Sequence, residues 1–195
     1  AARSNSLLAV FFIDLDHFKQ VNATLGHPFG DSVLRETVRR FSSLVRDGDT
    51  LARFGGDEFV LLVENLKDPA DVHPIAQKLQ TILDPRAVLE GNEVTLSSSI
   101  GVCVYPAHGK DASTLLANAD IAMYEAKSMG RKQYCVFSAG MSDLAAEKYQ
   151  MEATLRRALE EKRLRIHYQP KIDIASGRVT GVEALIRWEH PELGM

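Results

Sequence analysis

Four carboxylates stand where an apolar chain turns. Asp14 and Asp16 follow the run Leu7-Leu8-Ala9-Val10-Phe11-Phe12-Ile13, and Asp57 and Glu58 follow Gly55-Gly56. Carboxylates at the ends of buried strands are costly unless a cation neutralises them. Hard oxygen ligands suit Mg²⁺, which takes one or two carboxylates, a carbonyl and substrate phosphates. Two such ions can clamp the attacking and leaving oxygens of a phosphoryl transfer. The competing reading is that aspartates at strand ends only cap or turn the chain, and it applies most strongly to Asp16. The tandem glycines permit positive φ in a tight hairpin and clear side chains from a place where a bulky ligand approaches the backbone.

Several elements must position these groups. Leu7 to Ile13 reads as a strand buried on both faces. From Asp31, a candidate N-cap, Leu34, Val38, Phe41 and Val45 recur at helical spacing. Thr50 to Phe54 and Phe59 to Val63 read as the strands of the glycine hairpin. Pro69 to Leu83 reads as a helix, Thr95 to Tyr105 as a strand, and Asp111 or Ser113 as the cap of a further helix. That helix carries Leu115, Ala119, Ala122 or Met123 and Ala126 on one face, and Gly130 is placed to end it in the left-handed conformation. Gln133 to Phe137 closes the order as a last strand. The predicted class is mixed α/β (α+β), one antiparallel sheet with helices packed on it.

The totals exclude some functions. The 195-residue chain carries a net charge of −3, so no global basic field argues for a nucleic-acid polymer as partner. No apolar run approaches the ~20 residues that cross a bilayer, and no signal peptide is expected within these residues. Membrane contact is not expected within this fragment, so any anchor of the parent protein would lie in upstream domains outside it. Cys103 and Cys135 sit in apolar runs without zinc or redox spacing, which fits burial in a reducing cytoplasm.

The chain resembles a known family through Phe12-Ile13-Asp14-Leu15-Asp16-His17-Phe18-Lys19, Asn22, Gly26-His27, Gly30-Asp31 and Arg53-Phe54-Gly55-Gly56-Asp57-Glu58-Phe59. The match continues through Ser99-Ile100-Gly101-Val102, Ala119 to Tyr124, Ala126-Lys127 and Gly130-Arg131. These segments are similar to the GGDEF diguanylate cyclases, which join two GTP into cyclic di-GMP. The resemblance implies a palm-like sheet, as in nucleotidyl cyclases and polymerases. It implies that Asp14, the Leu15 carbonyl, Asp57 and Glu58 hold Mg²⁺ or Mn²⁺. Asp57 would be the general base for the GTP 3′-hydroxyl, with direct metal activation as an alternative. The main chain at Phe18 and Lys19, with the side chains of Lys19, Lys127 and Arg131, would hold the triphosphate; Lys127 and Arg131 are four apart, which predicts a shared helical face near that helix's C-terminus. Asn22 and Asp31 would bind guanine, with His27 shaping the base pocket. Each domain would bind one GTP, so a homodimer is part of the expected mechanism. Arg46 and Asp49 match the family's inhibitory site for cyclic di-GMP, although Gln77-Lys78 stand where a second arginine often assists. Ala23 replaces a usual Asp.

Residues 1–140 are thus expected to form the cyclase domain, without its N-terminal flank, and 141–163 a linker helix with Leu144, Met151, Leu155 and Leu159 in an apolar stripe. Residues 164–195 resemble the truncated start of an EAL phosphodiesterase domain, through Tyr168-Gln169-Pro170 and Glu183-Ala184-Leu185-Ile186-Arg187-Trp188. Glu183 matches a metal ligand of that family, but the remaining ligands lie beyond Met195, so phosphodiesterase activity is not expected of this chain. The alternative function is a catalytically silent module that binds GTP or cyclic di-GMP and controls an attached phosphodiesterase.

Overall fold

The computed structural model describes residues 6–190 and 194. They divide into two compact units, Ala1–Asp143 and Leu144–Met195.

The first unit is built on β1 (Leu7–Leu15), whose even and odd residues face different helices. Its other elements are α1 (Phe18–Leu25), α2 (His27–Ser42), β2 (Thr50–Gly55), β3 (Glu58–Leu66), α3 (Val72–Thr81), β4 (Ala87–Leu89), β5 (Asn92–Val94), β6 (Ser98–Tyr105), α4 (Ala112–Ser128) and β7 (Tyr134–Val136). The main sheet runs β2-β3-β1-β6-β7, and β4 pairs with β5 in a separate hairpin. Alternation along a strand sends successive side chains to opposite faces. Ala9, Phe11 and Ile13 therefore join Val33, Phe41, Phe59 and Leu79 in one core, while Val10 and Phe12 join Cys103, Ala119 and Met123 in the other. β1 lies centrally, antiparallel to both β3 and β6.

The mixed α/β class holds, with three corrections of detail. The sheet is not wholly antiparallel, because β7 runs parallel to β6. A parallel neighbour requires a crossover, and α4 is that crossover. The helical stripe of α2 also differs: Val38 is exposed, whereas Thr37 is buried and donates its Oγ1 hydrogen to the Val33 carbonyl at 2.9 Å. Asp31 is not an N-cap, because α2 begins at His27 behind Gly26. Asp111 does cap α4, accepting from the Thr114 N–H at 2.8 Å.

Buried Arg40 completes the α2 face. Its Nη1 donates to the carbonyls of Leu83 at 3.0 Å and Pro85 at 2.6 Å, and its Nε to Glu36 at 2.7 Å. The guanidinium thus satisfies carbonyls past the end of α3 that would otherwise lack donors. Arg40→Met keeps the volume but orphans those carbonyls and leaves Glu36 with Arg39 alone. The expected cost is about 2 kcal/mol, read from denaturant unfolding.

In the second unit, α5 (Ala139–Glu160), which begins before the unit boundary, leads to the hairpin of β8 (Leu164–Ile172) and β9 (Val179–Trp188). The stripe residues Leu144, Met151, Leu155 and Leu159 are exposed, and Ala158 is the buried residue of this helix. Asp173 closes the hairpin turn by accepting from the Ser176 N–H at 2.7 Å, and Gly177 takes φ 65°. Residues 191–193 and 195, at the end of the expected EAL segment, lie outside the described residues. Among the described residues, no helix is long and apolar enough to cross a membrane.

Candidate active site

The end of β1 carries the chemistry. Asp14 stands opposite Glu58 on β3 and opposite Ser99 on β6. Directly paired residues share a face, so Asp14, Glu58 and Ser99 form a row on the side of the sheet that α4 covers. Asp57 precedes Glu58 in the turn, and its carbonyl accepts from the Leu15 N–H at 3.2 Å. That bond ties the glycine hairpin, with Asp57 and Glu58, to the end of β1, where Asp14 and Leu15 supply the other two groups predicted to hold the metal. Phe54 packs edge-on against Phe12, with ring centroids 5.3 Å apart. Gly56 takes φ 52°, which glycine adopts without strain. A Cβ at Gly55 would meet no atom within 4 Å, so the fold itself does not demand glycine there.

Burial pushes the Asp14 carboxyl above its ordinary range; Lys127 opposes that shift, while Asp57 and Asp16 add to it. Glu58 is raised by desolvation first, and then by the charges of Asp14, Asp120 and Asp57. Asp120 is raised by desolvation, against the pull of Lys127. Five carboxylates, Asp14, Asp16, Asp57, Glu58 and Asp120, therefore crowd one region, and Lys127 Nζ lies 2.7 Å from Asp14 Oδ2. Sequence reasoning gave Asp120 no role. The available signal was its position seven residues before Lys127, two helical turns along the same face.

Arg131 is placed differently from expectation. Lys127 and Arg131 were predicted to share a helical face, but α4 ends at Ser128 and Arg131 lies in the following turn with φ 63°. Gly130 does take positive φ, at 117°.

The remaining candidates cluster at α1 and the start of α2. His17, left-handed at φ 61°, precedes α1, and no side chain caps that helix. Phe18 is buried and Lys19 exposed at its first turn, where helical N–H groups lack internal acceptors. Asn22 Oδ1 is buried without a hydrogen-bond partner. A Cβ at Gly30 would lie 1.9 Å from that oxygen, so Gly30 is what leaves it room. His27 and Asp31 are both exposed on α2, and Ala23 is exposed on α1.

Arg46 is exposed, while Asp49 has structural engagements. Its Oδ2 accepts from the Arg46 N–H at 3.2 Å and its Oδ1 from the Glu64 N–H at 3.3 Å. Gln77 and Lys78 are exposed on α3. In the second unit, exposed Glu183 lies 3.6 Å from Lys171 Nζ.

Asp14, Asp57, Glu58 and the Leu15 carbonyl are hard oxygen donors, the set that Mg²⁺ or Mn²⁺ takes. Among the described residues, no group of three His, Cys, Asp or Glu side chains forms a ready cage. That is compatible with a metal whose shell is completed by substrate phosphates. The raised pKa values of Asp14 and Glu58 mark a deficit of positive charge that a divalent ion would relieve. The donors fit such an ion.

Comparison with known proteins adds a second line of observation. The family described as "Diguanylate cyclase, GGDEF domain" matches residues 1–133, and the EAL domain family matches residues 152–195. The chain is 46% identical over all its residues to the bifunctional diguanylate cyclase/cyclic di-GMP phosphodiesterase MucR of Pseudomonas aeruginosa, covering 28% of that protein. It is 40% identical, over 96% of its length, to the cyclic di-GMP phosphodiesterase NbdA of the same organism, covering 24% of it. The chain thus spans less than a third of these curated relatives. Among solved structures, the GGDEF domain of YfiN from Pseudomonas aeruginosa superposes with a TM-score of 0.73 at 36% identity, covering 75% of this chain and 86% of that one.

Proposed function

The chain belongs to the GGDEF diguanylate cyclase family, and from that premise we propose that it condenses two GTP into cyclic di-GMP and two pyrophosphates. The observation that carries this reading is the Asp14–Glu58 cross-strand pair, with Asp57 bonded through its main chain to Leu15. Mg²⁺ or Mn²⁺ bound by Asp14, Asp57, Glu58 and the Leu15 carbonyl would polarise the phosphates and balance their charge. Asp57 accepts the proton of the 3′-hydroxyl; direct metal activation of that hydroxyl is the alternative route. The 3′-oxygen then bonds to the α-phosphorus of the second GTP as the bond to the departing pyrophosphate breaks.

Binding is divided among several elements. The uncapped first turn of α1, at Phe18 and Lys19, offers N–H groups to phosphate, and the Lys19, Lys127 and Arg131 side chains offer charge. The orphaned Asn22 oxygen accepts from guanine, and the Asp31 carboxylate accepts from N1–H and the 2-amino group together, which adenine cannot match. His27 borders the base. One such site holds one GTP, so catalysis requires a second GGDEF domain facing the first, as a homodimer. Arg46 and Asp49 bind the product and restrain the reaction. A requirement for GTP implies a cytoplasmic location for the domain. Phosphodiesterase activity is not proposed for this chain; Glu183 would join a metal site completed by further EAL residues.

A second reading is favoured by the similarity to NbdA, named as a phosphodiesterase: a silent nucleotide-binding module that regulates an attached EAL domain. Incubating the full-length protein with GTP and Mg²⁺, and separating nucleotides by chromatography, distinguishes the two. Cyclic di-GMP is expected, and its loss in Asp57→Asn. GTP bound without conversion would favour the regulatory module, and full activity in Asp57→Asn would remove Asp57 from the mechanism.

A further inference from the structure

Asp16 sits between Leu15 and the start of α1, and its carboxylate holds three pieces of chain together. Oδ1 accepts from Ser99 Oγ at 2.7 Å, while Oδ2 accepts from Ser97 Oγ at 2.8 Å and from the Lys132 N–H at 3.1 Å. Its own N–H donates to the Ser97 carbonyl at 2.9 Å. Three of about four acceptor positions on the carboxylate are thus used within the fold. This leaves Asp16 poorly suited to ligate a metal, unlike its neighbour Asp14.

The third of these bonds reaches an unusual loop. Gly130, Arg131 and Lys132 take φ values of 117°, 63° and 48° in succession, so two residues with side chains lie in the left-handed region. L-residues adopt that region only when their surroundings hold them there. On one side the loop is held by the Arg131 N–H donating to the Ala126 carbonyl at 3.2 Å. On the other it is held by Lys132, through the Asp16 bond and an ion pair with Asp84 at 2.8 Å.

We propose that Asp16 is a positioning residue that locks the Gly130–Lys132 loop to the end of β1, so that the Arg131 guanidinium is presented to the triphosphate of bound GTP. The proposal rests on the reading of Arg131 as a phosphate ligand. Through the same carboxylate, the strand end that carries Asp14 and Leu15 shares an anchor with the loop that carries Arg131. Phosphate binding and metal binding are thereby kept in register.

Asparagine separates this role from that of a ligand. In Asp16→Asn the amide oxygen can accept from Ser97 and Lys132, and the amide nitrogen can donate to Ser99, whose hydroxyl accepts as well as donates. The network survives and the charge does not. The probe is 3′-deoxy-GTP with Mg²⁺, which lacks the nucleophilic hydroxyl, titrated against the whole chain by calorimetry. Asp16→Ala is expected to weaken its binding about tenfold and Asp16→Asn by less than about threefold. In an Arg131→Ala background, Asp16→Ala should add nothing further. Amide hydrogen exchange at Lys132 should accelerate in Asp16→Ala and not in Asp16→Asn. Where Asp16→Ala loses its folded thermal transition, Ser97→Ala removes a donor to the same oxygen, and a smaller effect of the same sign is expected. Asparagine as damaging as alanine, with slow exchange retained at Lys132, would overturn the positioning role in favour of a ligand role. Unchanged affinity in Arg131→Ala would overturn the phosphate reading; unchanged exchange at Lys132 in Asp16→Ala would overturn the lock itself.

Discussion

Asp14→Asn is expected to cut cyclic di-GMP formation by about three orders of magnitude while leaving the nucleotide-free chain no less stable than the parent. The activity loss follows from removing a hard carboxylate donor, since metal stabilisation of a phosphoryl transition state is worth several kcal/mol, at about tenfold for each 1.4 kcal/mol. The stability result follows from the sign of the pKa shift. Desolvation, the largest influence, raises the folded-state pKa of Asp14 above its ordinary 3.8, against the opposing contribution of Lys127. A carboxyl whose folded pKa is raised contributes stability that is present below the unfolded pKa and lost as pH rises through the folded one. At pH 7 its charge is therefore a net burden on the fold, and asparagine is shaped like the uncharged form. Lys127, released from its 2.7 Å contact, still has Asp120 and Glu58 nearby to offset its charge. Chromatographic assay and thermal melting at pH 7 read the two halves. A variant that melts well below the parent would show the Lys127 ion pair outweighing desolvation, and one that kept its activity would remove Asp14 from the metal site.

That trade between stability and activity was partly legible in the sequence. An apolar run that stops dead at Asp14-Leu15-Asp16, and a two-glycine turn before Asp57-Glu58, announce buried strand ends bearing charge. The row Glu58–Asp14–Ser99 was not legible, because cross-strand register needs the pairing of β1 with both neighbours. The short α1 escaped because it spans eight residues and starts behind His17, which gives no capping bond. The β4–β5 hairpin escaped for a related reason: three-residue strands are too short to show a period. The direction of β7 could have been inferred, since strand, helix, strand in one sheet implies a parallel return. Arg131 was misplaced because spacing by four suggests a shared helical face only while the helix lasts, and α4 stops before it. For Asp16 the sequence left a structural role open beside the chemical one, and its three accepted hydrogen bonds favour the structural role.

Gly101→Ala is expected to be the most damaging single-methyl change in the first unit, at about 3 kcal/mol of unfolding free energy, and to disable the site through the helix rather than through any ligand. Gly101 lies on β6 directly under α4. A Cβ there would stand 1.9 Å from the Ala119 carbonyl oxygen, 2.3 Å from the Met123 nitrogen and 2.9 Å from the Ala122 carbonyl carbon. All three are backbone atoms, so no rotamer change can relieve the overlap, and the helix as a whole must move off the sheet. Overpacking that shifts backbone costs about 1–3 kcal/mol, at times more, and rigid helical neighbours put this position at the upper end. The consequence reaches the chemistry because α4 also carries Asp120 and Lys127. Lifting it would lengthen the Lys127–Asp14 contact and withdraw Lys127 from the phosphate site, while Asp14 and Glu58 stayed paired on the sheet. Denaturant unfolding measures the first effect, and 3′-deoxy-GTP affinity under fully folded conditions measures the second, with weakening of about tenfold expected. Parent-like stability would mean that β6 and α4 can separate without loss. Parent-like affinity in a destabilised variant would mean that the depth of α4 does not govern the reach of Lys127 to the nucleotide.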